Sequence, residues 1–95
     1  MERNDTMKAV ITVIGKDATG IIAQVSGYLW KKEINVLDVT QSIMGDMFVM
    51  VMLTDISKIN VSFTELANDM DELGRKLNLK IHTMHEDIFN SMHKI

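Results

Sequence analysis

Gly45-Asp46 separates two β-forming runs with no residues to spare, Val36 to Met44 before it and Met47 to Thr54 after it. A two-residue connection of Gly and Asp predicts a tight hairpin, which makes the two runs antiparallel neighbours. The second run is apolar at every position from Met47 to Leu53, the pattern of a strand covered on both faces. Phe48, Met50 and Met52 share one of those faces, and Val49, Val51 and Leu53 the other. In the first run Leu37, Val39 and Ile43 are expected to look inward, with Asp38, Thr40 and Ser42 looking out.

A strand followed by a helix precedes this hairpin, and a helix followed by a strand comes after it. Lys8 to Ile14 reads as a central strand, with Ala9, Ile11 and Val13 on one side and Val10, Thr12 and Ile14 on the other. The corner Gly15-Lys16-Asp17-Ala18-Thr19-Gly20 comes next: Gly15 can adopt the positive φ that ends a strand, and Asp17 or Thr19 can cap a helix. That helix is expected over 20–32, burying a stripe of Ile21, Ile22, Val25, Tyr28, Leu29 and Lys32. Beyond the hairpin, Ser62-Phe63-Thr64-Glu65 fits a capping box. It opens a helical stripe of Phe63, Leu66, Ala67, Met70, Leu73 and Leu77. Asn78 to Glu86 alternates as a fourth strand. Residues 1–6 are expected to be a weakly ordered extension, 7–87 a single domain, and 88–95 a helical tail with Ile88, Phe89, Met92 and Ile95 on one side.

The order β-α-β-β-α-β, with right-handed crossovers flanking a hairpin, predicts an α+β ferredoxin-like sandwich. Its antiparallel sheet would have strand order 4-1-3-2, with both helices on one face. The other face is then expected to carry Val10, Phe48, Met50, Met52 and Met84. An apolar patch of that kind marks an interface. The tail, through Phe89 and Met92, or a second copy of the sheet would cover it, and a homodimer is the expectation.

Composition removes several classes of function. The 95 residues carry a formal net charge of −3 and no cysteine. They therefore lack a basic footprint for nucleic acid or anionic membrane, and disulfide or thiolate chemistry. No apolar run approaches the ~20 residues of a membrane span, and the polar start resembles no signal peptide, so the cytoplasm is the expected compartment. Gly15 and Gly20 match the outer glycines of a P-loop, but Ile21-Ile22 stand where Lys-Ser/Thr would grip phosphate. His82 and His85 fall on opposite faces of a strand and cannot chelate a metal together. No serine sits in a nucleophile elbow. The two arginines, Arg3 and Arg75, lie away from the first loop, where an acylphosphatase needs one. Phe48 is a single stacking candidate on the sheet of an acidic protein, against the several aromatics of an RNA-binding one. No catalytic residue, cofactor or metal is expected.

The corner at 15–20 retains one chemical capacity. Unpaired N–H groups at a helix start carry partial positive charge and can receive a carboxylate. Asp17 is explained equally by helix capping and by a binding role. Asp17-Ala18-Thr19-Gly20-Ile21-Ile22, then Val25 and Leu29, then Ile34-Asn35-Val36-Leu37-Asp38, resembles the signature of ACT domains, small ferredoxin-like modules that bind amino acids or other effectors. The resemblance runs from Met7 to about Glu86. The tail, with His85-Glu86-Asp87-Ile88-Phe89 and Met92-His93, resembles that of stand-alone ACT proteins of unassigned function. Thr19 stands where the family commonly has Pro, which leaves the loop less stiff.

What the resemblance implies is an effector site at a subunit interface. It would be built from the loop backbone at Asp17, Thr19, Gly20 and Ile21, with polar contacts from Asn35 and Val36. The expected function is a non-enzymatic, homodimeric regulatory module binding a small amino-acid-type effector and acting on a separate protein. The alternative is a ligand-free interaction module that pairs through its sheet edge or open face.

Overall fold

The computed structural model describes residues 7–16 and 20–92, with Met92 as backbone alone. The expected extension at 1–6, the loop residues Asp17 and Thr19, the side chain of Met92, and Ile95 lie outside the described residues. The elements in chain order are β1 (Lys8–Gly15), α1 (Ile21–Lys31), β2 (Asn35–Met44), β3 (Met47–Asp55), α2 (Phe63–Leu77), β4 (Lys80–His85) and α3 (Glu86–Met92). The strands form one antiparallel sheet in the order β2-β3-β1-β4, which is 4-1-3-2 read from the other edge. α1 and α2 share one face, as in a ferredoxin-like sandwich.

Directly paired residues of an antiparallel sheet project to the same side, so the register identifies the core. Ala9, Ile11 and Val13 of β1 pair with Thr54, Met52 and Met50 of β3, and Gly15 pairs with Phe48. These meet Ile21, Val25 and Leu29 from α1 and Leu66 and Met70 from α2 in one buried cluster. Each side chain of that size contributes about 1.5–3 kcal/mol on full burial.

Phe48, Met50 and Met52 therefore lie under the helices, at 5%, 1% and 2% exposure, and not on the open face where they were expected. β3 is apolar on both sides, so its own sequence carries no alternation to tell the faces apart; pairing with β1 decides it. The open face carries Val10, paired with both Leu53 and Met84, together with half-buried Ile14, Val49 and Val51. Val10 is nonetheless only 4% exposed. α3 packs on β1 and β4, and its Phe89 is half-buried.

A second expectation is corrected at the edge strand. Val39 and Ile43 pair with Met52 and Phe48 and so point to the helix side, yet Val39, Ile43 and the bulge residue Leu37 are exposed. The helices cover β1, β3 and β4 and stop short of β2, none of whose residues enters the core cluster. The Gly45-Asp46 connection is the expected two-residue turn, closed by the Met44–Met47 pair. Of its two central residues Gly45 has positive φ, at 66°, as a II′ hairpin requires.

The helix ends explain several sequence choices. Ser62 Oγ accepts the Glu65 N–H at 3.1 Å, the cap half of the predicted box. α1 starts at Gly20, whose φ of 74° lies in the left-handed region; no side chain among the described residues caps it, and the expected caps Asp17 and Thr19 lie outside them. The positive φ thus belongs to Gly20, while Gly15 answers a different need. A Cβ at Gly15 would run into the Leu79 side chain. Both long helices end in a Schellman motif. Leu79 N–H donates to Gly74 O at 2.7 Å around left-handed Asn78, and Ile34 N–H donates to Leu29 O at 2.9 Å around left-handed Glu33. Between the helices, Tyr28 donates its hydroxyl proton to Asp69 at 2.7 Å.

Gly74 lies buried in α2, where a Cβ would stand 2.9 Å from the Leu79 carbonyl oxygen. Gly74→Ala gains about 1 kcal/mol of helix propensity, but overpacking against backbone costs about 1–3 kcal/mol. We expect a net loss of stability, read as a lower urea midpoint. An unchanged or higher midpoint would show that the Leu79 turn yields freely.

Candidate functional site

β1 and β2 are both antiparallel to β3 and therefore run parallel to each other. The end of β1 and the start of β2 thus lie at opposite ends of the sheet: Gly15 pairs with Phe48, whereas Asn35 pairs with Asp55. α1 spans the distance between them. Its 11 residues at ~1.5 Å each put about 16 Å between its two ends.

Each end holds an open cleft. At the β1 end, about 660 Å³ is lined by Ile14, Gly15, Lys16, Met47, Gly74, Arg75 and residues 77–80 of the α2–β4 turn. At the β2 end, about 740 Å³ is lined by Trp30, Lys31, Glu33, Ile34, Asn35, Asp55 and Lys58. In the second cleft Asp55 accepts from the Ser57 hydroxyl at 2.6 Å and from the Ser57 N–H at 2.9 Å. These two hydrogen bonds, with Lys8 and Lys58 adding to them, hold its carboxyl below the usual carboxylate range. The Ser57 hydroxyl in turn accepts the Met7 N–H at 2.9 Å, which ties the chain entering β1 to the chain leaving β3. Across the helical layer the Tyr28 hydroxyl is pushed well above its ordinary value, first by burial and then by its bond to Asp69.

The expected effector residues divide between these ends. Gly20 and Ile21 stand at the start of α1, and Asn35 and Val36 beyond its end. One chain does not bring them together. Ile21 is 4% exposed with its side chain in the core, so it can offer a ligand only backbone. Asn35 lines the second cleft and Val36 is exposed beside it. His82 lies on the open face opposite Thr12, and His85 on the helix face opposite Ala9. His85 packs edge-on against Phe63 and accepts the Asp87 N–H. Among the described residues no group of three His, Asp or Glu side chains is placed to hold a metal ion, and no helix is long and apolar enough to cross a membrane.

Sequence reasoning missed Trp30, Asp55 and Lys58. Trp30 is 81% exposed at the mouth of the second cleft. The signal was available: it is the single Trp of the chain, one position off the buried stripe of its helix, and a large aromatic left in water is uncommon.

Comparison with known proteins places the chain. The ACT domain family matches residues 8–84. The chain belongs to the ACT domain family. ACT domains are regulatory, small-ligand-binding modules. This ACT domain is 52% identical to a UPF0237 protein of Clostridium acetobutylicum over 94% of its own length and 100% of that protein. It is 48% identical to a UPF0237 protein of Listeria innocua, again over 94% and 100% of the two chains. Among solved structures it is similar to an ACT domain protein from Streptococcus pneumoniae. The TM-score is 0.79 at 38% identity, covering 87% of this chain and 93% of that one.

The hydrogen bonds that favour ionised Asp55 stabilise the fold above the carboxyl's unfolded value, near 3.9, and are lost as pH falls through its lowered folded value. Asp55→Asn is expected to be less stable than the parent at pH 7, with the difference shrinking below about pH 4. Chemical denaturation at pH 7 and pH 3 checks this, and a difference that is the same at both values would contradict it.

Proposed function

We propose that this ACT domain is a non-enzymatic regulatory module that binds a small amino-acid-type effector between two copies of the chain. The observation that carries this reading is the separation of the expected site residues. Gly20 and Ile21 lie at one end of α1, and Asn35 and Val36 at the other.

The edge strand supplies the means of joining them. All ten residues of β2 are exposed, and β3 occupies only one of its sides. An exposed edge of this length pairs readily with another strand. Two-fold symmetry would place β2 of a second copy antiparallel to the first. That operation carries Asn35 and Val36 of one copy to the end where Gly20 and Ile21 of its partner stand. Each of two equivalent sites then draws on both chains. Asp17 and Thr19, in the same loop as Gly20, are assigned to the site with it. The start of α1 would receive the α-carboxylate, since its first N–H groups have no helical partner. Regulation would be exerted on a separate protein.

A ligand-free interaction module is the second reading. Ile43 and Met44 favour it, being 75% and 65% exposed beside the hairpin turn, where an apolar partner surface could dock without any metabolite.

The test combines a thermal-shift screen of the twenty amino acids with subunit complementation. A ligand at about 100 times its Kd stabilises by roughly 2.7 kcal/mol, which is readily seen. With an amino acid that shifts the parent, Gly20→Val and Asn35→Ala are each expected to lose the shift. Mixed heterodimers of the two variants should regain one intact site, because the unaltered Gly20 of one chain meets the unaltered Asn35 of the other. Failure of the mixture to recover binding would place the site within one chain. A flat screen would leave the interaction module as the reading.

A further inference from the structure

We propose that the cleft at the end of β1 is a separate binding site for a small molecule carrying a diphosphate or longer phosphate chain. Among the described residues its lining includes three cations, Lys16, Arg75 and Lys80, and no carboxylate, in a chain whose formal net charge is −3. Three cations thus share one concave surface of an acidic chain, with Asp46 beside Lys16 and Asp71 and Glu72 beside Arg75, and a concave surface focuses their field.

The floor beneath these cations is rigid. Leu79 packs between the two glycines: the end of its side chain lies where a Cβ at Gly15 would stand, and its carbonyl oxygen is 2.9 Å from where a Cβ at Gly74 would stand. The Schellman turn, with Asn78 left-handed and the Leu79 N–H bonded to Gly74 O at 2.7 Å, fixes the chain between Arg75 and Lys80. β1 and β4 pair up to Ile14 and Lys80, so Lys16, two residues beyond Ile14, emerges at the same end of the sheet. Both sides of the cleft are thus held in place before any ligand arrives, and its 660 Å³ suits a small molecule.

Ligand charge decides the class. Each exposed cation attracts a single anionic oxygen only weakly in water, too little for a lone monocarboxylate to gain occupancy here. A di- or triphosphate can engage several cations at once. The carboxylates bound to these cations at present are loose competitors. Asp46 stands 3.9 Å from Lys16 with both side chains 77% exposed, and Asp71 and Glu72 each stand 3.3 Å from Arg75 in exposed pairs. Such pairs contribute little and are readily exchanged for a more highly charged partner. The site is independent of the effector reading, since it needs neither Asn35 nor a second copy.

The experiment is a titration of the isotope-labelled chain with inorganic pyrophosphate at constant ionic strength, followed by backbone amide shifts. Titrations with ATP and with sodium sulfate run in parallel. Saturable shifts centred on Gly15, Lys16, Asn78, Leu79 and Lys80 are expected for pyrophosphate and ATP and not for sulfate. Lys80→Gln and Lys16→Gln should each weaken pyrophosphate at least threefold, and the double variant at least tenfold. Lys58→Gln, in the other cleft, should leave the affinity unchanged. Tighter binding of ATP than of pyrophosphate would point to a nucleotide, and equal binding to a phosphate chain on another carrier. Shifts spread evenly over Lys8, Lys31 and Lys58, equal binding of sulfate, or affinity indifferent to the double substitution would overturn the assignment.

Discussion

The pairing of β3 with β1 is the constraint on which the rest of the molecule depends. β3 has an apolar residue available for either face, so hydrophobicity by itself would tolerate a slip of one position. Thr54 and Asp55 do not. In the observed register Thr54 is the one buried polar side chain among the described residues, and its hydroxyl donates to the Ala9 carbonyl at 2.9 Å. Asp55, next along, stays at the sheet end with Ser57. A one-residue slip would turn Asp55 toward the helices, where an unpaired carboxylate is costly, and would leave Thr54 with no buried partner. Once that register is set, Phe48, Met50 and Met52 are committed to the helical layer, and α1 and α2 have a surface to cover.

Most of the architecture was legible because it is written in local chemistry. The Gly45-Asp46 turn, the Ser62–Glu65 cap and the helical stripes each act over a few residues, and together with the crossover rule they leave one strand order. The face of β3 was not legible, because both its alternating sets are apolar and only long-range pairing distinguishes them. The coverage of β2 was not legible either. Val39 and Ile43 alternate correctly and point the expected way, but a sequence pattern shows direction, not how far a neighbouring layer extends. The left-handed backbone expected at Gly15 belongs to Gly20, and Gly15 instead lies against the side chain of Leu79, 64 positions away in the chain. For the candidate site, the residue types at the loop and at Asn35 could be read off. Their separation by the full length of α1 follows only from β1 and β2 being parallel.

That separation gives α1 a role beyond filling the core. Its buried stripe of Ile21, Val25 and Leu29 holds it on the sheet, and the Tyr28–Asp69 bond joins it to α2. It is a spacer of defined length between the Gly20 end and the Asn35 end. Changes in its seating would move both ends together, which in the proposed two-chain arrangement would couple the two sites.

Trp30 brings a practical consequence. It is the sole indole of the chain, it lies 81% in water, and it stands at the mouth of the cleft that Asn35 lines. Indole emission shifts to shorter wavelength when water leaves the ring, and Tyr28 is the only other phenol or indole chromophore. The protein therefore carries a built-in optical reporter at one end of α1 and none at the other. Light excited selectively in the indole reads whatever settles beside β2 and is blind to events in the lysine-lined cleft at the far end of the sheet.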